Sequence, residues 1–340
     1  MKKPFKVDTK TIGEEKRTFV IAEIGINHEG NFEKCKKLIK AASICGADAA
    51  KIQLVNVHES YDKKTKSFKE FINKDFSDLQ LVRLKKYAKK NKILFFATPG
   101  DISSLRRLIK LKFEIIKISS GLSNNFPLIR EAIRYKKPLI ISTGLSNKKD
   151  LFELKFFLKK FKFDKIVILK CVSSYPTKSQ DLNLRSISML KKLFDYNIGF
   201  SDHSLGELAS ICSVPLGACV IEKHFTLNKN LSGADHKISM EPREFKNMIK
   251  KIREIEKILG RKKIIINKKL SKLRKKNFRY LTSNKTINKN EKFSLNNISF
   301  KRHEKKYNGL PPKFFFKFEG KKSKIKIRKD RLIKLNDIGK

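Results

Sequence analysis

Short apolar runs alternate with longer amphipathic segments along the first 260 residues of the chain. Each run is almost continuously apolar and rich in β-branched or aromatic residues, which is typical of strands buried on both faces of a parallel sheet. Two of the intervening segments, Phe32–Cys45 and Leu79–Asn91, repeat apolar residues at helical spacing with lysines between them. The eight predicted strands are Phe19–Ile24, Ala49–Leu54, Ile93–Thr98, Ile115–Ser119, Pro138–Thr143, Lys165–Cys171, Asn197–Ser201 and Ala218–His224.

Eight strand–helix units in about 250 residues predict an α/β fold of the (β/α)8 TIM-barrel type. Segment Pro242–Leu259 is expected to form the last helix, which Gly260 ends. We therefore assign residues 1–262 to the barrel. Residues 263–277 are lysine-rich and weakly apolar, which predicts a linker or a frayed helix. Over residues 278–340 short strand-like runs alternate with turn-forming residues, which predicts a small β-rich domain.

The chain is strongly basic, with a formal net charge of +47. It is also 40% hydrophobic and 10% aromatic, which excludes a charged disordered chain. The lysines are densest in residues 261–340, but no nucleic-acid-binding motif accompanies them. They are therefore expected on solvated surfaces, and nucleic acid is not expected as a partner.

Cysteine usage and the lack of long apolar runs indicate the compartment. The cysteines Cys35, Cys45, Cys171, Cys212 and Cys219 show no CxxC pairing and lie mostly in apolar surroundings, which predicts buried, reduced thiols. No nearly uncharged run reaches the about 20 residues that a membrane-spanning helix needs. The sequence predicts a cytoplasmic protein without membrane association.

Reactive side chains concentrate where the predicted strands end, and barrels of this type build their active sites at that end. Several lysines and hydroxyl groups converging there predict an anionic ligand that carries phosphate or carboxylate groups. The candidates are Glu23, Lys51, Gln53, Thr98, Lys117, Ser120, Gly121, Ser142, Ser173, Tyr175, Ser201, His203, Glu222 and His224.

Two histidines and two lysines carry most of this argument. His203 and His224 follow neighbouring predicted strands, so their imidazoles can share a divalent metal. A single histidine on a strand is more often structural, but the pair beside Asp202 and Glu222 favours metal ligands. Lys51 and Lys117 alternate with apolar residues and should point into the barrel, where an anion would offset their burial.

Five motifs at these strand ends occur together. They are Glu23–Gly30 (Glu-Ile-Gly-Ile-Asn-His-Glu-Gly), Ile141–Gly144, Tyr175–Thr177, Phe200–Ser204 and Glu222–Thr226 (Glu-Lys-His-Phe-Thr). Jointly they resemble the sialic acid (N-acetylneuraminate) synthases of bacteria. The C-terminal residues resemble the antifreeze-protein-like (SAF) domain of that family, through Lys285–Glu291 and Lys301-Arg302.

The resemblance implies an N-acetylneuraminate synthase. Such an enzyme condenses phosphoenolpyruvate with the open-chain aldehyde of N-acetylmannosamine, breaks a C–O bond and releases phosphate, giving a nine-carbon 2-keto acid. It also implies that His203 and His224 bind Mn2+ or Mg2+. The residues implied to bind phosphoenolpyruvate are Lys51, Lys117, Ser120, Gly121, Ser142 and Ser201, and Thr98 and Ser173 are further candidates for substrate binding. Those implied to position the sugar and the attacking water are Glu23, Gln53, Tyr175 and Asp235, and Glu222 is a further catalytic candidate.

The resemblance further implies a domain-swapped homodimer in which Arg302 reaches the acetamido group of the sugar in the partner's barrel. Three positions depart from the family pattern. Leu122 replaces a common glutamate, Ser173 replaces an asparagine of some members, and His303-Glu304 replaces Pro-Gly.

Two alternatives therefore stay open. The first is a legionaminic or pseudaminic acid synthase that uses a 2,4-diacetamido-6-deoxyhexose, because an apolar Leu122 suits a deoxygenated C6. The second, from a different class, is a barrel protein that binds polyanions through its basic C-terminal domain.

Overall fold

The computed structural model describes residues 2–303 and 309–339, and the chain divides into two compact units, residues 1–261 and 262–340. The strands are β1 Phe5–Val7, β2 Lys10–Ile12, β3 Phe19–Gly25, β4 Ala49–Leu54, β5 Leu94–Pro99, β6 Ile116–Ile118, β7 Leu139–Ser142, β8 Ile166–Cys171, β9 Asn197–Asp202, β10 Val220–His224, β11 Tyr280–Ser283 and β12 Ile298–Lys301. The helices are α1 Phe32–Ile44, α2 Val57–Ser60, α3 Lys66–Phe71, α4 Asp78–Lys90, α5 Ile102–Lys110, α6 Phe126–Arg134, α7 Lys148–Lys159, α8 Ser186–Leu193, α9 Leu208–Ser213, α10 Pro242–Leu259, α11 Lys268–Asn277 and α12 Phe315–Phe318.

Strands β3 to β10 form a closed, wholly parallel barrel in chain order, with β10 pairing back onto β3. The prediction of a (β/α)8 TIM barrel is therefore confirmed. Each predicted strand overlaps an observed one and its ends differ by two residues at most. The apolar strand residues form one continuous core with the inner faces of the helices.

Local sequence signals set the helix ends. Ser77 and Gln80 form a reciprocal capping box at the start of α4. Helix α10 begins with Pro242 and ends at Gly260, whose φ of +57° lies in the left-handed region that glycine tolerates best. The bounds of α10 coincide with the predicted last helix.

The N-terminal hairpin of β1 and β2 was not predicted. Its apolar residues Phe5, Val7 and Ile12 join the barrel core. The side chain of Asn197, at the start of β9, donates a hydrogen bond to the carbonyl of Lys3, so the hairpin lies at the end opposite the predicted site. Three-residue strands separated by lysines give too little apolar pattern to predict.

The second unit has its own small core, built around β11 and β12, which pair antiparallel. Leu281, Ile287, Phe293, Phe318 and Ile327 are fully buried in it. The expected linker, residues 263–277, contains α11, none of whose residues is buried. Glu304, one of the departures from the family pattern, lies outside the described residues. No helix in the described ranges is long and apolar enough to cross a membrane.

Candidate active site

Two buried lysines form the centre of the site at the C-terminal mouth of the barrel. Lys51 in β4 and Lys117 in β6 point inward, with only 3% and 2% of their surface exposed. The ammonium of Lys51 donates to Oγ1 of Thr98 at 2.9 Å, and that of Lys117 donates to Oγ of Ser142 at 2.7 Å. The alternation of apolar and polar residues in these strands predicted this orientation.

Two carboxylates lie against these lysines. Oε2 of Glu23 is 2.6 Å from Nζ of Lys51. The carboxylate of Glu222 lies between the lysines, 3.4 Å from Lys51 and 3.7 Å from Lys117, and Ser201 donates a hydrogen bond to it at 3.0 Å. The mouth therefore holds a row of alternating buried charges, which is the kind of environment found at functional sites.

Burial and mutual attraction shift the pKa values of this row in different directions. Burial raises the pKa of Glu23 to about 7, against the attraction of Lys51. Burial also opposes ionisation of Glu222, but Lys117 and Lys51 outweigh it and hold the pKa of this carboxyl below its usual range. Burial lowers the pKa of Lys117. Glu222 is thus a fixed negative charge, whereas Glu23 can exchange a proton near neutral pH.

A cradle of small polar groups surrounds Gly144, just beyond β7. Its backbone N–H donates to Oγ of Ser120 at 3.0 Å. A Cβ at this position would lie 2.5 Å from Oγ of Ser173 and 2.8 Å from both Sγ of Cys171 and Oγ of Ser120, so only glycine fits. The hydroxyl of Ser173 is buried and lacks a hydrogen-bond partner within the described residues. Next to Ser120, the space above Gly121 is open.

His203 and His224 come together as predicted, with ring centroids 5.4 Å apart, and the ring of Tyr175 packs on both. Nδ1 of His203 lies 2.8 Å from the carbonyl of Val172. A carbonyl only accepts, so Nδ1 carries a proton, and in the neutral ring Nε2 keeps a free lone pair. Nδ1 of His224 is buried without a hydrogen-bond partner in the described part of the chain.

These histidines suit a divalent cation. Two imidazoles side by side, one with an unpaired buried nitrogen, provide two ligands and leave further coordination positions to substrate and water. Oδ2 of Asp235 lies 3.7 Å from Nδ1 of His224. Among residues 2–303 and 309–339, no group of three or more His, Cys, Asp or Glu side chains is arranged around one metal position.

Asp235, Glu23 and Gln53 meet beside Gly25, although they lie far apart in the sequence. A Cβ on Gly25 would be 2.9 Å from Oδ2 of Asp235, 3.5 Å from Oε1 of Glu23 and 3.6 Å from Nε2 of Gln53. Gln53 donates a hydrogen bond to Glu23 at 3.4 Å. Gly25 has a φ of +56°, so this close approach also needs the backbone freedom of glycine.

One expected residue of the barrel, Leu122, is not brought to this cluster by the described contacts. Leu122 lies in a short turn after β6 and packs partly against the barrel core. Arg302 is exposed in the second unit. Sequence reasoning missed Cys171 as a site residue; its Sγ lies 3.6 Å from Nδ1 of His203. Its position at the last residue of a predicted strand was the available signal.

Comparisons with known proteins show the family to which the chain belongs. The NeuB family model matches residues 38–264. An N,N'-diacetyllegionaminic acid synthase from Campylobacter jejuni is 37% identical over 94% of this chain and 99% of its own length. A pseudaminic acid synthase from the same species is 36% identical over 95% and 97%. The crystal structure of an N-acetylneuraminic acid (sialic acid) synthetase from Leptospira borgpetersenii superposes with a TM-score of 0.76 at 33% identity, covering 80% of this chain and 95% of that one.

The chain therefore belongs to the NeuB family. The predicted family and the predicted enzyme class, nonulosonic acid synthase, are both confirmed.

Proposed function

We propose that this enzyme condenses phosphoenolpyruvate with the open-chain aldehyde of an N-acetylated amino sugar. C3 of phosphoenolpyruvate forms a bond to the aldehyde carbon, water adds to C2, and the C2–O bond breaks to release phosphate, leaving a 2-keto acid. The row formed by Glu23, Lys51, Glu222 and Lys117 carries the proposal, because it places cationic groups and a proton-exchanging carboxyl together at the barrel mouth.

The anionic groups of phosphoenolpyruvate would bind to Lys51 and Lys117 and to the cradle around Gly144. Buried ammonium groups attract carboxylate and phosphate strongly because little water screens them. The hydroxyls of Ser120 and Ser173 line the cradle, and the hydroxyl of Ser173, which has no partner among the described residues, can donate a hydrogen bond to the ligand. Thr98, Ser142 and Ser201 would hold the lysines and Glu222 in place through the hydrogen bonds described above.

The aldehyde end would lie at the opposite side of the mouth, near Asp235, Gln53 and Tyr175. His203 and His224 would hold Mn2+ or Mg2+ there, which as a Lewis acid supplies polarisation of the aldehyde oxygen. Asp235 and Gln53 can bind sugar hydroxyls, and Tyr175 can pack against the sugar. Glu23, whose carboxyl accepts a hydrogen bond from Gln53, would accept a proton from the water that attacks C2.

The acceptor implied by the resemblance is N-acetylmannosamine. A 2,4-diacetamido-6-deoxyhexose is the second candidate, which the 37% and 36% identity to the legionaminic and pseudaminic acid synthases favours. The replacement of a family glutamate by Leu122 supports the same candidate. Family membership favours either synthase over a polyanion-binding protein.

Release of phosphate from phosphoenolpyruvate with Mn2+ tests the proposal and separates the acceptors. Release should require one of the two sugar types and should be lost in a His203→Ala, His224→Ala double variant. A His58→Ala variant is the matched control, because His58 is exposed outside the site. Release without sugar, or release retained in the double variant, would contradict the proposed reaction.

We also propose a domain-swapped homodimer in which Arg302 of each copy reaches the acetamido group in the other barrel. The support is the position of Arg302 after the Lys301 strand end, which matches the family pattern.

A further inference from the structure

A completely buried ion pair lies directly behind the two histidines. Nζ of Lys223 is 3.0 Å from Oδ2 of Asp202, and neither side chain is exposed to solvent. Asp202 and Lys223 are direct cross-strand partners at the ends of β9 and β10. Each therefore immediately precedes one of the proposed metal ligands, His203 and His224.

Strand alternation places this pair on the outer face of the barrel. Ser201 and Glu222, one register step earlier, hydrogen-bond to each other inside the mouth. Asp202 and Lys223, the next residues along the two strands, therefore point to the outer face. In agreement, Oδ2 of Asp202 accepts a hydrogen bond at 2.6 Å from Ser210, which lies in the surrounding helix α9. Among the described residues, the pair bonds to Ser204 and Ser210 and not to the side chains of the proposed substrate site.

The pair fixes the backbone on both sides of His203. Oδ1 of Asp202 accepts from the backbone N–H of Ser204 at 2.9 Å and from its hydroxyl at 2.7 Å. Lys223 also donates to the carbonyl of Ser204. One ammonium thus ties the residues before and after His203 to the strand that carries His224.

A buried ion pair costs more desolvation free energy than an apolar contact at the same place would. The attraction between two buried ions offsets the loss of their hydration only when their geometry is excellent and additional hydrogen bonds are made. Asp202 receives bonds from Ser204 and Ser210 besides Lys223, so its charge is well satisfied. Buried ionic networks of this kind are retained in some proteins because they specify one geometry.

We infer that Asp202 and Lys223 are positioning residues that set the separation and orientation of His203 and His224 for metal binding. This inference rests on the proposed function, since it needs the two histidines to be ligands. Partners outside the ligand set typically change metal affinity about 10- to 100-fold when they are removed.

The test is the affinity for Mn2+, measured from the electron paramagnetic resonance signal of the free ion, in Asp202→Asn and Lys223→Met. We expect Kd to rise about 10- to 100-fold. Asp48→Asn is the matched control, because Asp48 is also a buried carboxylate and is paired with Arg253 at the opposite end of the barrel. Asp48→Asn should lower Tm about as much as Asp202→Asn does and should leave the Kd for Mn2+ unchanged.

Ser210→Ala keeps the inference falsifiable if the charge variants do not fold. It removes one hydrogen bond to Asp202 and should raise the Kd in the same direction by a smaller factor. A Kd equal to that of the wild type in the folded variants would overturn the positioning role alone. Failure of the wild-type enzyme to bind Mn2+ through His203 and His224 would overturn the proposed metal site and the positioning role together.

Discussion

The ammonium of Lys51 lies 2.6 Å from Oε2 of Glu23, and both side chains are almost completely buried. Any anion that binds Lys51 must share it with this carboxyl group. Glu23 therefore opposes the binding of the substrate anion at Lys51, and in the proposed reaction it takes part in proton transfer.

Replacement of Glu23 by Gln should therefore affect the two steps differently. The amide keeps the size and can still contact Lys51, but it cannot accept a proton, so we expect kcat to fall about 10²- to 10⁴-fold. Binding of phosphoenolpyruvate should be unchanged or tighter, since a competing negative charge is gone. Steady-state kinetics measure kcat, and calorimetric titration measures the Kd for phosphoenolpyruvate. Weaker binding with an intact kcat would assign Glu23 to substrate binding instead.

Acid stability should depend on His28. Its Nδ1 accepts a hydrogen bond from the N–H of Gly30 at 3.0 Å, its ring packs on Phe76, and burial lowers its pKa to about 3. The unfolded chain takes up this proton below a pH of about 6.5 and the folded state does not, so the contribution to stability is complete above that pH and declines as the pH falls toward 3.

The wild type should consequently lose about 2 kcal/mol more stability than His28→Gln between pH 7 and pH 5. Thermal unfolding of the metal-free protein at both values measures the difference as a steeper fall of Tm in the wild type. Parallel falls of Tm in the two proteins would exclude this role for His28.

The sequence predicted the barrel and most of the candidate side chains that gather at its mouth for one physical reason. Parallel strands buried on both faces are apolar, so polar residues such as Lys51, Lys117 and His224 stand out, and strand alternation sets their direction. Asp235 could not be placed in this way. It belongs to a long loop after β10, and only the folded path of that loop brings it beside Gly25.

The acceptor sugar should respond to residue 122. Restoring the family acid in Leu122→Glu adds a group that can hydrogen-bond to a sugar hydroxyl but not to a deoxygenated C6, and we expect it to shift kcat/KM toward N-acetylmannosamine relative to a 6-deoxy sugar. Leu122→Met is the control, since it changes shape without adding polarity. An unchanged ratio of kcat/KM for the two sugars would remove Leu122 from the determinants of specificity.

Domain swapping can be tested by mixing two inactive variants. His203→Ala removes a proposed metal ligand and so inactivates the site in its own barrel. Arg302→Ala removes the side chain proposed to act in the partner's site. If the arginine acts across the dimer, a mixed dimer contains one intact site, and random reassociation should restore about a quarter of wild-type activity. An arginine that acts within its own chain would leave every mixed dimer inactive.

The fate of the bridging oxygen of phosphoenolpyruvate tests the central claim most directly. With this oxygen labelled as 18O, Mn2+ and the accepted sugar, the account predicts phosphate that carries the label and an equal amount of a 2-keto acid whose mass equals phosphoenolpyruvate plus sugar plus water minus phosphate. Unlabelled phosphate would show cleavage of the P–O bond, and labelled phosphate without the condensed product would show no carbon–carbon bond formation; either result would contradict the proposed synthase reaction.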